Sequence, residues 1–317
     1  MVKVSILSCP AYSIVKQARL LYLVLKDYIN VELLIGTFFS NQLGDIAIIL
    51  GNPHLYERNL YNYIKDNKKD VQFIFYIVLE GNIIPSFIPM IQYLNDGIII
   101  TPSNYAKAKL EQAGFKVEKV IPHGVEVYGY AKASNTKGLG YISGYMERKY
   151  PNYLFPHIGK FKDNFYVITN NINPYKQYFN VVSTNEYNLD DSFIYSFYKR
   201  LSFYLNISDS EGFGLTPLEA LAFGNPVIAP RYEPLTEFLP NFTLWVNTKN
   251  EKRYENWGNW LHIEHNIIDV DDLLKKVEIA LNMSDNEYKE LSYKSLEYSY
   301  KYDVTNVYVN FLEFLKG

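Results

Sequence analysis

The chain has 317 residues, 48% of them apolar and 21% charged, with 31 Lys and Arg against 34 Asp and Glu for a net charge of −3. Length and apolar share predict roughly two domains with real cores, and the charge excludes a nucleic-acid binder driven by overall basicity. The single cysteine, Cys9, excludes an intrachain disulfide and reads as a buried thiol; no apolar run approaches the roughly 20 residues that span a bilayer, and the N-terminus lacks signal-peptide anatomy, so a soluble, cytoplasmic protein is expected.

In chain order, Val2 to Leu7 reads as a strand, Ser13 to Asp27 as a helix, and Val31 to Thr37 and Asp45 to Leu50 as strands. Pro53 to Asp66 reads as a helix, Val71 to Leu79 as a strand, Ser86 to Leu94 as a helix and Gly97 to Ile100 as a strand. Pro102 to Ala113 is a helix ending at Gly114, and Val117 to Ile121 a closing strand. Strands alternating with helices imply βαβ units and a parallel sheet, whose ligands gather at the carboxyl ends of the strands. Residues 126–139, rich in Gly, Ala, Ser, Asn and Lys, read as a linker between a domain over 1–125 and a second over 140–295, with 296–317 as a C-terminal helix. In the second series Gly140 to Ser143, Phe165 to Thr169 and Phe179 to Ser183 read as strands and Asp191 to Leu201 as a helix, while the tail from Asp271 reads as two or three helices. The 30 tyrosines are many; core filling and base-composition bias are favoured over stacking on sugars as their explanation.

The stretch from residue 209 to 230, with the apolar run before it, is the most informative. Phe203 to Ile207 suits a buried strand, and Gly212 and Gly214 let backbone pass close to a ligand. Thr216 is a good N-cap, Pro217 falls where a helix tolerates proline best, Gly224 ends the helix and Pro226 to Ala229 begins a strand. A helix N-terminus behind such a loop presents N–H groups and a positive dipole end to an anion such as phosphate. Glu211 and Glu219 flank it. Taken singly, Thr216 and Glu219 also spell a capping box, Glu211 also reads as a solvated loop acid, and the glycines also serve a turn.

The run Glu211-Gly212-Phe213-Gly214-Leu215-Thr216-Pro217-Leu218-Glu219-Ala220 resembles the Glu-x7-Glu signature of retaining GT-B glycosyltransferases of the family 4 type. The resemblance implies an α/β fold of the GT-B class: two Rossmann-like domains facing a cleft, with a C-terminal helix crossing back to the first. A second stretch is similar to the end of that family's first domain: Asp96 to Ser103, Gly114-Phe115, and Val120-Ile121-Pro122-His123-Gly124-Val125, with His123 in place of an asparagine and Glu126 one position late for the usual aspartate. The resemblance places Glu211 by the donor sugar and Glu219 on the nucleotide ribose. Backbone N–H groups of Phe213, Gly214, Leu215 and Thr216, beside Gly212, would then complete an anion site.

A departing diphosphate needs a facing cation. In Ser143-Gly144-Tyr145-Met146-Glu147-Arg148-Lys149, Lys149 stands at the family's lysine position, Tyr145 replaces its arginine, and Arg148 is the candidate substitute. The family's glycine-rich first loop is absent, since Ser8-Cys9-Pro10-Ala11-Tyr12 stands there. Glu80 follows a strand where some relatives carry an acid near the acceptor; it reads equally as a helix-capping loop acid. His262 and His265 have the wrong helical spacing for a zinc pair, and no metal is expected.

The reading is thus a retaining glycosyltransferase of the hexosyltransferase class. It would use a nucleotide-diphosphate sugar as co-substrate and need no metal or other cofactor. The open alternatives are a non-catalytic nucleotide-sugar-binding protein and a GT-B-fold sugar-nucleotide epimerase; glycoside hydrolysis fails because the two glutamates do not flank one bond. No nucleic-acid partner is expected. The amphipathic segment Ile14 to Tyr28, with Lys16, Arg19 and Lys26, reads as a helix packed on the sheet, and also admits a peripheral membrane contact if the acceptor is a lipid. Sugar, base and acceptor are not legible.

Overall fold

The computed structural model describes residues 2–9, 11–36, 43–55, 58–144, 147–149, 151–169, 171–181 and 191–315. They form two compact units: residues 1–124, 254–263 and 302–317, and residues 125–253 and 264–301.

Unit 1 opens with β1 (Lys3–Ser8), α1 (Tyr12–Leu25), β2 (Asn30–Ile35) and β3 (Ile46–Leu50). A single 3-10 turn at Pro53–Leu55 and then α2 (Arg58–Asn67) replace the one helix expected over 53–66. β4 (Gln72–Tyr76) and a short β5 (Gly81–Ile83) follow. The helix expected over 86–94 is a 3-10 helix, Pro85–Asp96, with Pro89 inside it. Proline has no N–H for an α-helical bond and clashes with the preceding turn. β6 (Ile98–Thr101), α3 (Asn104–Gln112) and β7 (Lys119–Val120) complete the run. The helix expected from Pro102 starts at Asn104, because Ser103 caps it, its hydroxyl accepting from the Ala106 N–H at 3.1 Å.

The six-stranded sheet has the order β2-β1-β3-β4-β6-β7, parallel at every pair. Alternate side chains of β3 feed two cores: Ile46, Ile48 and Leu50 one, Ala47 and Ile49 the other. α1 packs its buried face, Ala18, Leu21 and Leu25, on the first core.

Unit 2 repeats the pattern: β8 (Leu139–Ser143), α4 (Phe155–Ile158), β9 (Phe165–Thr169), β10 (Asn180–Val181), α5 (Asp191–Arg200), β11 (Phe203–Leu205), α6 (Leu215–Ala222), β12 (Val227–Pro230), α7 (Leu235–Phe238) and β13 (Leu244–Val246). Of the strand expected over Phe179 to Ser183, Asn180–Val181 forms β10, and residues 182–183 lie outside the described residues. This sheet is parallel too, in the order β10-β9-β8-β11-β12-β13. That is the doubly wound order, whose direction of growth reverses between β8 and β11. Gly140 sits in β8 because a Cβ there would stand 2.1 Å from Leu201 Cδ1.

An unexpected hairpin follows: β14 (Thr248–Trp257) and β15 (Leu261–Ile268), which form a three-stranded sheet with β5. Residues 254–263 of this hairpin belong to unit 1, where Trp260 and Leu261 enter the second core; 264–268 belong to unit 2. α8 (Val270–Asn282) and α9 (Asp285–Ser299) continue unit 2. α10 (Val304–Tyr308) and a 3-10 helix, Val309–Phe314, return to unit 1, where Val307, Tyr308, Phe311 and Leu315 close the first core.

Tyr76, Tyr141, Tyr175, Tyr198, Tyr204, Tyr288 and Tyr308 are among the largest fully buried side chains, whereas Tyr28, Tyr128, Tyr130 and Tyr254 are more than half exposed, so tyrosine fills the cores only in part. Cys9 is buried and its thiol pKa is pushed up by that burial. Among the described residues no helix is long and apolar enough to cross a membrane.

Residues 125–138 have little regular structure and lie on unit 2. Lys132 anchors them: its ammonium donates to the carbonyls of Tyr198, at 2.9 Å, and Leu201, and to Asn225 Oδ1. The Tyr198 and Leu201 carbonyls lie at the end of α5, a place suited to a cation. Lys132→Met is expected to cost about 1–3 kcal/mol through the Leu201 carbonyl and Asn225 Oδ1, since the Tyr198 carbonyl also accepts from Asn225 Nδ2 at 2.9 Å, read from chemical denaturation of the two proteins side by side. An unchanged midpoint would mean that water replaces the ammonium at no cost.

Candidate active site

The reversal of strand order in unit 2 leaves a crevice at the carboxyl ends of β8 and β11. The chain leaving β8 makes a single 3-10 turn, Glu147–Lys149. The chain leaving β11 passes through Ser208, Asp209 and Ser210 to Glu211 and then enters α6. Two candidate cations thereby meet one candidate acid, Lys149 from 62 residues away in sequence. The Lys149 ammonium pairs directly with Glu211 Oε1, and Arg148 stands 3.6 Å from Glu211 Oε2.

Burial alone would raise the Glu211 carboxyl. The charges of Lys149 and Arg148, with hydrogen bonds from Lys149 and Ser208, outweigh it and hold the group below its ordinary 4.5. The two cations differ in setting. Arg148 is 6% exposed and gives its guanidinium to the Ser210 carbonyl at 2.7 Å; Lys149 is 18% exposed. The backbone of Lys149 is itself fixed: its carbonyl accepts from Tyr141 at 2.9 Å and from Tyr175 at 3.2 Å. Tyr145, at the position where the resemblance expects an arginine, lies outside the described residues.

Gly212, Phe213 and Gly214 carry the chain from Glu211 into α6. Phe213 stacks on Phe238 with ring centroids 4.3 Å apart. Gly214 is the N-cap of α6, at φ +101° and ψ +62°, a conformation that favours glycine. A Cβ there would also stand 2.7 Å from Leu235 Cδ2. The fold therefore requires this glycine before any ligand is considered. The expected cap, Thr216, is corrected: helix α6 begins at Leu215, so Thr216 is its second residue and Pro217 its third. That register takes Thr216 and Glu219 out of the capping-box positions.

The first N–H groups of α6 lie beside Glu211, where a helix has no internal partners for them. One turn into α6, Glu219 accepts the Tyr198 hydroxyl at 2.9 Å, and the same hydroxyl lies 3.1 Å from the Thr216 carbonyl. Unit 2 thus gathers Lys149, Arg148, Glu211, Gly212 to Thr216 and Glu219. Glu80 lies in unit 1, between β4 and β5. His123 is also in unit 1, buried against Tyr76, whose hydroxyl is 3.0 Å from its Nδ1; burial pulls the imidazole down to about 3. It is a core histidine.

Sequence reasoning assigns no site role to Tyr141, Tyr175 and Tyr198, which brace Lys149 and Glu219, or to Asp209 and His265. Their only signal was tyrosine abundance and a lone histidine. Among the described residues no group of three or more His, Cys, Asp or Glu is arranged to hold a metal ion.

Residues 187–295 match the family model described as Glycosyl transferases group 1. The chain is 26% identical over 296 residues to uncharacterized glycosyltransferase 335 of Sulfolobus islandicus rod-shaped virus 1, covering 83% of each. It is 30% identical over 140 residues to putative glycosyltransferase ORF313 of Acidianus filamentous virus 1, 42% of each. Among solved structures, Alr3699/HepE of Anabaena in complex with UDP and glucose superposes with a TM-score of 0.69 at 12% identity, covering 99% of both chains. The chain therefore has the GT-B fold, and its residues 187–295 are similar to the glycosyl transferases group 1 family.

Proposed function

We propose that the protein is a retaining glycosyltransferase that moves a sugar, a hexose in the first instance, from a nucleoside-diphosphate sugar to an acceptor hydroxyl. The observation that carries this is the meeting of Lys149, Glu211 and the N-terminus of α6 at the strand-order switch of unit 2. A diphosphate at the helix N-terminus would accept from the N–H groups of Phe213 to Thr216 and meet the positive end of the helix dipole. Lys149, the more exposed of the two cations, would stabilise the charge that grows on the leaving diphosphate, and Arg148 would brace the loop. Glu211 would orient the sugar and Glu219 the ribose, with Glu80 on the acceptor side. In this reading the departing phosphate takes the acceptor's proton and the protein supplies positioning and electrostatics, without a metal. The UDP and glucose of the HepE complex support a sugar nucleotide as donor.

The test is incubation with a panel of nucleotide sugars, following free nucleotide and the anomeric configuration of the product. Release of nucleotide with a retained anomer supports the proposal. Interconversion of the sugars would make the protein an epimerase, and binding without turnover a non-catalytic binder. Glu219→Ala is expected to weaken nucleotide binding by about 1.5–3 kcal/mol, or roughly ten- to 150-fold, by loss of a carboxylate hydrogen bond. Glu219→Gln keeps an acceptor for Tyr198. An alanine variant with unchanged nucleotide affinity and a lower melting temperature would make Glu219 a partner of Tyr198 alone.

A further inference from the structure

Asp209 and His265 form a buried pair beside the site. They are 3% and 1% exposed, and Asp209 Oδ1 lies 2.7 Å from His265 Nδ1. Arg253 approaches the same ring, its Nη2 3.4 Å from Nδ1. A buried polar pair of this kind contributes little stability over well-packed apolar groups of the same volume. Geometry offers a better account of its presence.

Asp209 is held through every polar group it has. Its N–H donates to the Arg148 carbonyl at 3.0 Å, which ties it to the cationic turn after β8. Its carbonyl accepts from the N–H of Asn266 at 2.9 Å and from Asn266 Nδ2 at 3.0 Å, and its carboxyl meets His265; both partners are on β15. The next residue, Ser210, takes the Arg148 guanidinium, and the one after that is Glu211. Asp209 is therefore the residue through which β15 holds the loop of Glu211 and the turn of Lys149 in one register.

We propose that the Asp209–His265 pair is a positioning device for the transfer reaction: it clamps the 208–211 loop to β15 and so sets the Lys149–Glu211 geometry. It rests on the reading that Lys149 and Glu211 serve the sugar-nucleotide donor. The bond, rather than the charge, is what the clamp needs. Asparagine at 209 keeps an acceptor for the imidazole N–H, whereas alanine at 209, or leucine at 265, removes the bond.

The test compares Asp209→Ala, Asp209→Asn and His265→Leu with the wild type, using UDP-glucose as the probe donor. Crystal structures give the Lys149–Glu211 separation, and UDP release gives kcat and KM. Misplacement of a reacting group by an ångström costs on the order of tenfold to 10²-fold, so Asp209→Ala and His265→Leu are expected to lower kcat by that factor with KM little changed. Their Lys149 ammonium and Glu211 carboxylate should separate beyond the roughly 4 Å of an ion pair, while Asp209→Asn keeps both pair and rate. His265→Leu conserves volume and serves where Asp209→Ala does not fold. An intact pair and unaltered kcat in the bond-breaking variants would overturn the inference, as would an equal loss in Asp209→Asn. If the wild type releases no UDP, the donor reading fails for this probe, and the crystallographic distances still judge the clamp.

Discussion

Lys149→Ala is expected to lower turnover by about 10²-fold or more, the scale for removing one electrostatic contact to a transition state. Lys149 is the cation whose setting allows such a contact. Its ammonium carries three donors, so a bond to Glu211 and one to a diphosphate oxygen are compatible. Its backbone is pinned by Tyr141 and Tyr175, which gives the side chain a fixed root. Arg148→Ala should act differently. Arg148 braces Ser210, so its loss should appear in stability as well as in rate. The lysine variant also carries a pH signature. Lys149 is the largest of the influences that hold Glu211 low against burial, so without it burial pushes the carboxyl up. The contribution of ionised Glu211 is present above its pKa and lost as pH falls through it. The acid limb of the residual activity should therefore move to higher pH in Lys149→Ala. Full turnover in this variant, with a large loss in Arg148→Ala, would show that the wrong cation was chosen.

The legible and illegible parts of the chain differ for physical reasons. Alternating apolar runs exposed both parallel sheets, because strands buried on both faces read as continuous Val, Ile and Leu. Strand order was not legible, since it depends on pairing between distant segments. β14 escaped notice because Thr248 to Trp257 is polar on both faces, as suits a charged strand at the edge of its sheet. Helix α6 starts two residues earlier than the sequence predicts, because Thr216 has the better capping chemistry whereas the left-handed backbone of Gly214 decides the register. In the sequence Asp209 reads only as the first residue of the informative stretch, and His265 only by its spacing from His262. What matters is a partner 56 residues away, which no local pattern records.

Glu211→Ala is expected to abolish most turnover, by on the order of 10²-fold or more, while leaving affinity for free nucleoside diphosphate close to that of the wild type. The free diphosphate lacks the sugar that Glu211 would touch, so the loss should fall on transfer rather than on nucleotide binding. Glu219→Ala should show the opposite bias, with nucleotide affinity lost first. The structure adds a complication that the design must meet. Glu211 is buried between Lys149 and Arg148, so alanine leaves two cations without it, and breaking a buried pair by removing one partner costs about 3–5 kcal/mol. Glu211→Gln is therefore the necessary companion, since it keeps hydrogen-bonding capacity and volume while removing the charge. If orientation of the sugar is the role, glutamine should recover part of the rate and most of the stability. A folding defect would instead depress nucleotide affinity and turnover together in both variants. Titration with nucleoside diphosphate beside initial-rate assays and thermal unfolding separates these outcomes. Equal losses of nucleotide affinity in Glu211→Gln and Glu219→Ala, in proteins with wild-type melting, would refute the division of labour between the two glutamates.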